Sequence, residues 1–199
     1  MRRTTFLLLF ALNIFPLGWA VVEMRAVPDD ASHSLRAMGA VRDRGSLSIL
    51  CHPQNLPRIM PPKTATQLAA LRLVSPPVFN GQQVANIDRL AGVDSEILTS
   101  FRPVPFIPIR MEWTALITEF EWNHHFADIQ KAGPFKRFQH RHELSTELRG
   151  SVSGTIVRDR IEYDPGFGFL GDLAHKLFIA NGLKQTFDYR QKMLEKLLA

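Results

Sequence analysis

Cysteine is nearly absent: Cys51 is the only one among 199 residues, so no disulfide can form within the chain. A lone cysteine is more often a small core residue than a nucleophile, and Cys51 is read that way. Internal repeats and low-complexity tracts are missing, which argues against a repeat architecture. Also missing is any block of lysine and arginine interleaved with aromatics. The formal charge is +5, yet the cations are scattered among acids, as in Arg158-Asp159-Arg160 and Glu195-Lys196. The basic balance therefore reads as a solvated surface, and no nucleic-acid partner is expected. The one long apolar run, Phe6 to Val22, is short for a membrane span and is interrupted by Asn13 and Pro16. Behind Met1-Arg2-Arg3, and with Gly18 and Ala20 near its end, it has the pattern of a secretory signal peptide. Residues 1–20 are thus read as a signal-like leader or a misassigned start, residues 21–33 as a linker, and residues 34–199 as one domain.

What is present is ordinary apolar content, sufficient for a full core, and a clear order of patterns in the second half. Ser34 to Val41 is a strand candidate and Gly45 to Cys51 a short helix. Pro53 sits in the first turn of a second short helix through Ile59, which Pro61-Pro62 stops. Thr64 to Val74 is a strand or short helix. Ile97, Thr99 and Phe101 share one face of a strand over Glu96 to Phe101. From Ile109 to Ile117 the residues Ile109, Met111, Trp113, Ala115 and Ile117 alternate with mostly polar neighbours, the period of a half-buried strand. Strands follow over His124 to Gln130, Lys136 to Leu144 and Thr155 to Tyr163, with Ser145 to Gly154 as a looser connection. A helix is predicted from near Leu170 to about Leu198, its apolar stripe including Leu177, Phe187, Leu194 and Leu198. Asn181-Gly182 inside it weakens the helix by about 1 kcal/mol relative to alanine. The class is α+β: a curved antiparallel sheet with a long C-terminal helix lying across it.

Antiparallel partners have indices of constant sum, so a hairpin fixes which residues share a face. A five-residue loop over Lys131 to Phe135 pairs Phe126 with His140 and His124 with His142, and places Asp159 beside or diagonal to His142. The inner face then carries the apolar residues Met111, Trp113, Ile117, Phe126, Phe138, Val157, Ile161 and Tyr163, together with the polar cluster His124, Asp128, His140, His142 and Asp159. Arg137, Gln139, Arg141 and Glu143 face outward. The cluster admits three readings. Its members bond one another and water, or orient a ligand in a mainly apolar pocket, or do metal or acid–base chemistry. His-x-His puts two imidazoles on one face, as a metal site needs. The spacing forces no third ligand, however, and no metal or cofactor is assigned from the sequence. A histidine held by an aspartate suits a general base, but no scissile bond is identified.

The runs NLPRIMPP (Asn55 to Pro62), ITEFEWNHHFADIQ (Ile117 to Gln130), GPFKRFQHRHEL, GTIVRDRIEYDPGFGFLGDLAHKLF and FDYRQKMLEKLL together resemble bacterial members of the SRPBCC superfamily. These are START-like, polyketide cyclase-like proteins with the helix-grip fold of the birch-pollen allergen. The resemblance covers His52 to the C-terminus. It implies a seven-stranded antiparallel sheet wrapped around the C-terminal helix, two short helices after the first strand, and a deep apolar pocket between sheet and helix. It also implies a hydrophobic small molecule or lipid as the partner, a binding role rather than catalysis, and a cytoplasmic location; a periplasmic or secreted one follows if the leader is real. Upstream of His52 the pattern departs from the group's strand, Ala-Pro turn and aromatic helix, reading LRAMGAVRDRGSLSIL. On this reading His140, His142 and Asp159 orient the polar end of the ligand. The alternatives are a cyclase or dehydratase using a His/Asp pair, and an interaction protein with a vestigial pocket.

Overall fold

The computed structural model describes residues 18–25, 47–82, 84–103, 108–149, 152–166 and 178–198. Its strands are β1 (Gly18–Arg25), β2 (Gln67–Arg72), β3 (Glu96–Phe101), β4 (Met111–Glu121), β5 (His125–Ala132), β6 (Arg137–Arg149) and β7 (Val152–Asp164). They form one seven-stranded sheet in the order β1-β7-β6-β5-β4-β3-β2, antiparallel at every pairing. Strands β2 to β7 are a meander, and β1 crosses over to close the sheet beside β7. Two short helices, α1 (residues 47–51) and α2 (Leu56–Ile59), follow β1, and the helix α3 (Ala180–Leu198) ends the described chain. This is the helix-grip α+β arrangement that the resemblance implied.

Alternation explains the sheet. Along β6, Phe138, His140, His142 and Leu144 are buried, while Arg137 is exposed and Gln139, Arg141 and Glu143 are only half-buried. Polar outer residues pair with one another: Arg141 bonds Glu119, and His125 Nε2 lies 3.2 Å from Glu119. On β4 the alternation breaks at an irregularity between Ile117 and Glu119. One extra residue in one strand changes the parity of those that follow. The buried Ile117 and the half-buried Phe120 accordingly join the same core cluster although they are three apart.

Three apolar clusters tie the helices to the inner face. Leu47 and Cys51 of α1 pack with Leu90, Ile117, Trp122, Phe126 and Leu144. Ile59 of α2 packs with Val157 of β7 and Leu194 of α3. Phe187 of α3 packs with Phe138, Ile161 and Tyr163, and Leu183 and Trp113 lie against this group. Phe187 thus meets the Tyr163 end of β7 and Leu194 the Val157 end, so α3 lies along β7 in the opposite sense. The stripe Leu183, Phe187, Arg190, Leu194, spaced four, three and four, is the face α3 turns to the sheet.

Several sequence expectations change. The edge strand beside β7 is Gly18–Arg25, a stretch that spans the junction read from sequence as the end of a leader and the start of a linker. The candidate Ser34–Val41 strand and the first turns of the predicted C-terminal helix lie outside the described residues. Thr64 to Val74 contains a strand, β2. Ser145 to Gly154 is no loose connection: β6 and β7 pair continuously as far as Arg149 and Val152. Serine, threonine and glycine there continue a ladder whose backbone bonds do not depend on apolar side chains. Ile109 lies outside β4 and is 65% exposed.

Two outcomes test this packing. Phe187→Ala should cost about 3–5 kcal/mol, the usual loss for a buried phenylalanine, measured by urea denaturation. Burial, which leaves Cys51 3% exposed, pushes its thiol well above the ordinary range; it should resist a thiol reagent at neutral pH in the folded protein and react on unfolding.

Candidate functional site

The register of three neighbouring strands builds one polar patch on the inner face. Between β5 and β6, Phe126 is opposite His142 and Asp128 opposite His140. Between β6 and β7, His140 is opposite Ile161 and His142 opposite Asp159. The sequence-derived register paired Phe126 with His140 and His124 with His142, two residues out. Side chains alternate with period two, so an even slip keeps the face and changes only the partners. The cause is the β5–β6 connection. Pairing stops at Ile129 and Gln139, and the Gln130 side chain clasps Phe135, donating from Nε2 to its carbonyl at 2.6 Å and accepting from its N–H at 3.2 Å.

Asp159 is the centre of the patch and is fully buried. Its Oδ1 is 3.2 Å from His140 Nε2. His142 Nδ1 also contacts Oδ1, while the second carboxylate oxygen, Oδ2, has no hydrogen-bond partner. His140 Nδ1 lies 3.7 Å from Asp128 Oδ2. The imidazoles of His140 and His142 have centroids 4.0 Å apart, and His142 stacks on Phe126 at 4.1 Å. His124 is not part of this patch. It sits exposed in the β4–β5 turn, where Asn123 takes a positive φ of 64°.

Burial sets the electrostatics. It disfavours charge on His142, and the adjacent His140 adds to this, pushing His142 down to about 3. Burial also opposes the Asp159 carboxylate, but His142 and His140 outweigh it and hold the group below the usual carboxylate range. Asp128 moves the other way, raised chiefly by burial.

A fifth member comes from the helix. Arg190 of α3 is buried, its guanidinium carbon 5.3 Å from the centroid of the Phe187 ring. Its charge acts on both Asp128 and His142, and its Nε has no partner. Sequence reasoning passed over Arg190. The signal was available: it falls three residues after Phe187 and four before Leu194, a cation on the apolar stripe.

The apolar residues named from sequence separate into groups around this patch. Trp113 and Phe138 meet edge to face at 4.6 Å, and Phe135, also missed, contacts both and Tyr163. Ile161 joins them from β7. Ile117 and Phe126 lie in the α1 cluster and Val157 in the α2 cluster. Met111 is half-buried at the start of β4, outside all three. A separate groove on the outside of the protein, between residues 61–63 and Gln185, Asp188, Tyr189 and Lys192, involves none of these residues.

No protein-family description and no curated protein matches the chain. Solved structures do. A protein of Thermus thermophilus is 14% identical with a TM-score of 0.52, covering 92% of this chain and 97% of its own. The major latex-like protein 151 of Panax ginseng is 12% identical with a TM-score of 0.53 over the same shares. A protein of Mycobacterium smegmatis is 12% identical with a TM-score of 0.54, covering 91% and 89%. At such identities the likeness is one of fold.

The patch acts as a structural unit, and its loss is measurable. Asp159→Ala should destabilise the protein by about 1–3 kcal/mol, the cost of leaving a buried hydrogen-bonding partner such as His140 Nε2 unsatisfied. Arg160→Ala, on the exposed face of the same strand, should stay within about 0.5 kcal/mol. Chemical denaturation of both variants checks the contrast.

Proposed function

Given that the chain has the helix-grip fold of the SRPBCC superfamily, we propose that it binds a hydrophobic small molecule or lipid between the inner face of the sheet and α3. No chemistry is needed for that role. One observation carries the reading: buried polar atoms without hydrogen-bond partners, Asp159 Oδ2 and Arg190 Nε, lie between apolar groups built from both the sheet and α3. Ligand pockets have this composition, mostly apolar with a few convergent polar groups that fix orientation. Trp113, Phe138, Ile161 and Tyr163 supply the apolar wall at one end, Ile117 and Phe126 the wall toward α1, and Val157 the wall toward α2. Met111 lies at the margin. His140, His142, Asp159 and Arg190 receive the polar end of the ligand. Burying apolar surface at about 25 cal/mol per Å² supplies useful affinity without a covalent step.

The contact between His140 and Asp159, at 3.2 Å, favours a second reading, a cyclase- or dehydratase-like enzyme with that histidine as base. Retention of turnover in a His140→Gln/His142→Gln double variant would rule it out.

Native mass spectrometry of gently purified protein, followed by titration with a panel of fatty acids, quinones and aromatic polyketides, tests the binding reading. A retained or titrated ligand whose affinity falls about tenfold or more in Phe138→Ala, a loss of the size expected for apolar contact area, supports it. No retained molecule and no binding from the panel would overturn it.

A further inference from the structure

We propose that Asp128, His140 and His142 form a binding site for a divalent first-row transition-metal ion. Each of the three buried residues offers one donor atom, and these atoms all lie within 4.8 Å of one another. At metal–ligand bonds of about 2.1 Å, neighbouring donors around one ion are about 3.0–3.4 Å apart. The 3.7 Å between His140 Nδ1 and Asp128 Oδ2 needs a closure of about 0.3–0.7 Å, and a pair at the full 4.8 Å span about 1.4–1.8 Å, which side-chain rotation about an arriving ion supplies.

The backbone fixes this grouping. His140 and His142 are two apart on one strand and so share a face, and Asp128 is the residue directly opposite His140 on β5. Asp159 backs the two imidazoles. It contacts His140 through Nε2 and His142 through Nδ1, leaving His140 Nδ1 turned to Asp128. A carboxylate behind a ligating histidine is the usual outer support of a metal site, setting the tautomer and raising the basicity of the donor nitrogen.

The donor set chooses the class of ion. Two nitrogens and one carboxylate oxygen suit zinc, iron, cobalt or nickel; magnesium and calcium prefer oxygen donors alone. Among the described residues of α3, Arg190 places its charge on Asp128 and His142. Three protein donors leave at least one coordination position open. The site goes beyond the apolar-ligand reading and does not depend on it, since the ion is tested alone.

Chelator-stripped full-length protein is titrated with Co(II), followed by its visible absorption, and with Zn(II) by calorimetry. The expected result is one equivalent bound, not displaced by excess Mg(II), with affinity reduced by about 10- to 100-fold or more in Asp128→Asn and in His142→Gln. Circular dichroism first establishes that each variant folds. Where one does not, the ring resonances of the wild-type protein with Co(II) decide: paramagnetic shifts at His140 and His142 support the site. No saturable binding overturns the proposal. So does binding unchanged in both variants, or shifts confined to other histidines such as the neighbours His124 and His125.

Discussion

The burial of one carboxylate organises the inner face of this protein. Asp159 is fully buried in the middle of β7, and an isolated ionised carboxylate there would be prohibitively costly. The two histidines beside it lower that cost. His140 and His142 reach it from the adjacent strand, one of them by a 3.2 Å hydrogen bond. Arg190 brings a full positive charge to the patch from the helix above. The strand register that puts His142 opposite Asp159 and Asp128 opposite His140 is therefore an electrostatic requirement as well as a hydrophobic one. A slip of one residue would leave the carboxylate facing arginines on the solvent side and would turn Arg158 and Arg160 inward.

The same patch divides the apolar interior. Phe187 and Leu194 anchor α3 to opposite ends of β7, and Arg190 falls between them. The result is a polar centre with apolar groups on either side, gripped by one helix. A core built for stability alone would satisfy its polar atoms completely. Here Asp159 Oδ2 and Arg190 Nε are left without hydrogen-bond partners. The ligand reading starts from that unmet polar demand and the metal reading from the separate grouping of Asp128, His140 and His142; the two are compatible because the metal donors leave room for a further oxygen.

Much of this was legible in the sequence because one face of β4 to β7 is buried and the other solvated, so alternation exposes the fold directly. The two faces of β6 were read correctly from Lys136 to Leu144 for that reason, and Asp159 was placed near His142. The hairpin partner of Phe126 was missed by two residues because the loop length depends on the clasp of Gln130 on Phe135, a tertiary detail. His124 looked inward by extrapolating the strand period into what is a turn. The far ends of β6 and β7 carry serine, threonine and glycine, which mimic a loop although their backbones pair. Gly18–Arg25 does not stand out as a strand because its apolar residues continue the run that begins at Phe6. Arg190 was hidden by the habit of reading a charged residue on a helix as solvated, although its stripe position pointed inward.

The buried polar residues behave as one coupled unit rather than as independent side chains. A double-mutant cycle in unfolding free energy between Asp159→Asn and His140→Gln measures that coupling. The expected interaction energy is about 0.5–3 kcal/mol, as found for residues sharing a buried network. Additivity within about 0.3–0.5 kcal/mol, the behaviour of independent sites, would contradict it.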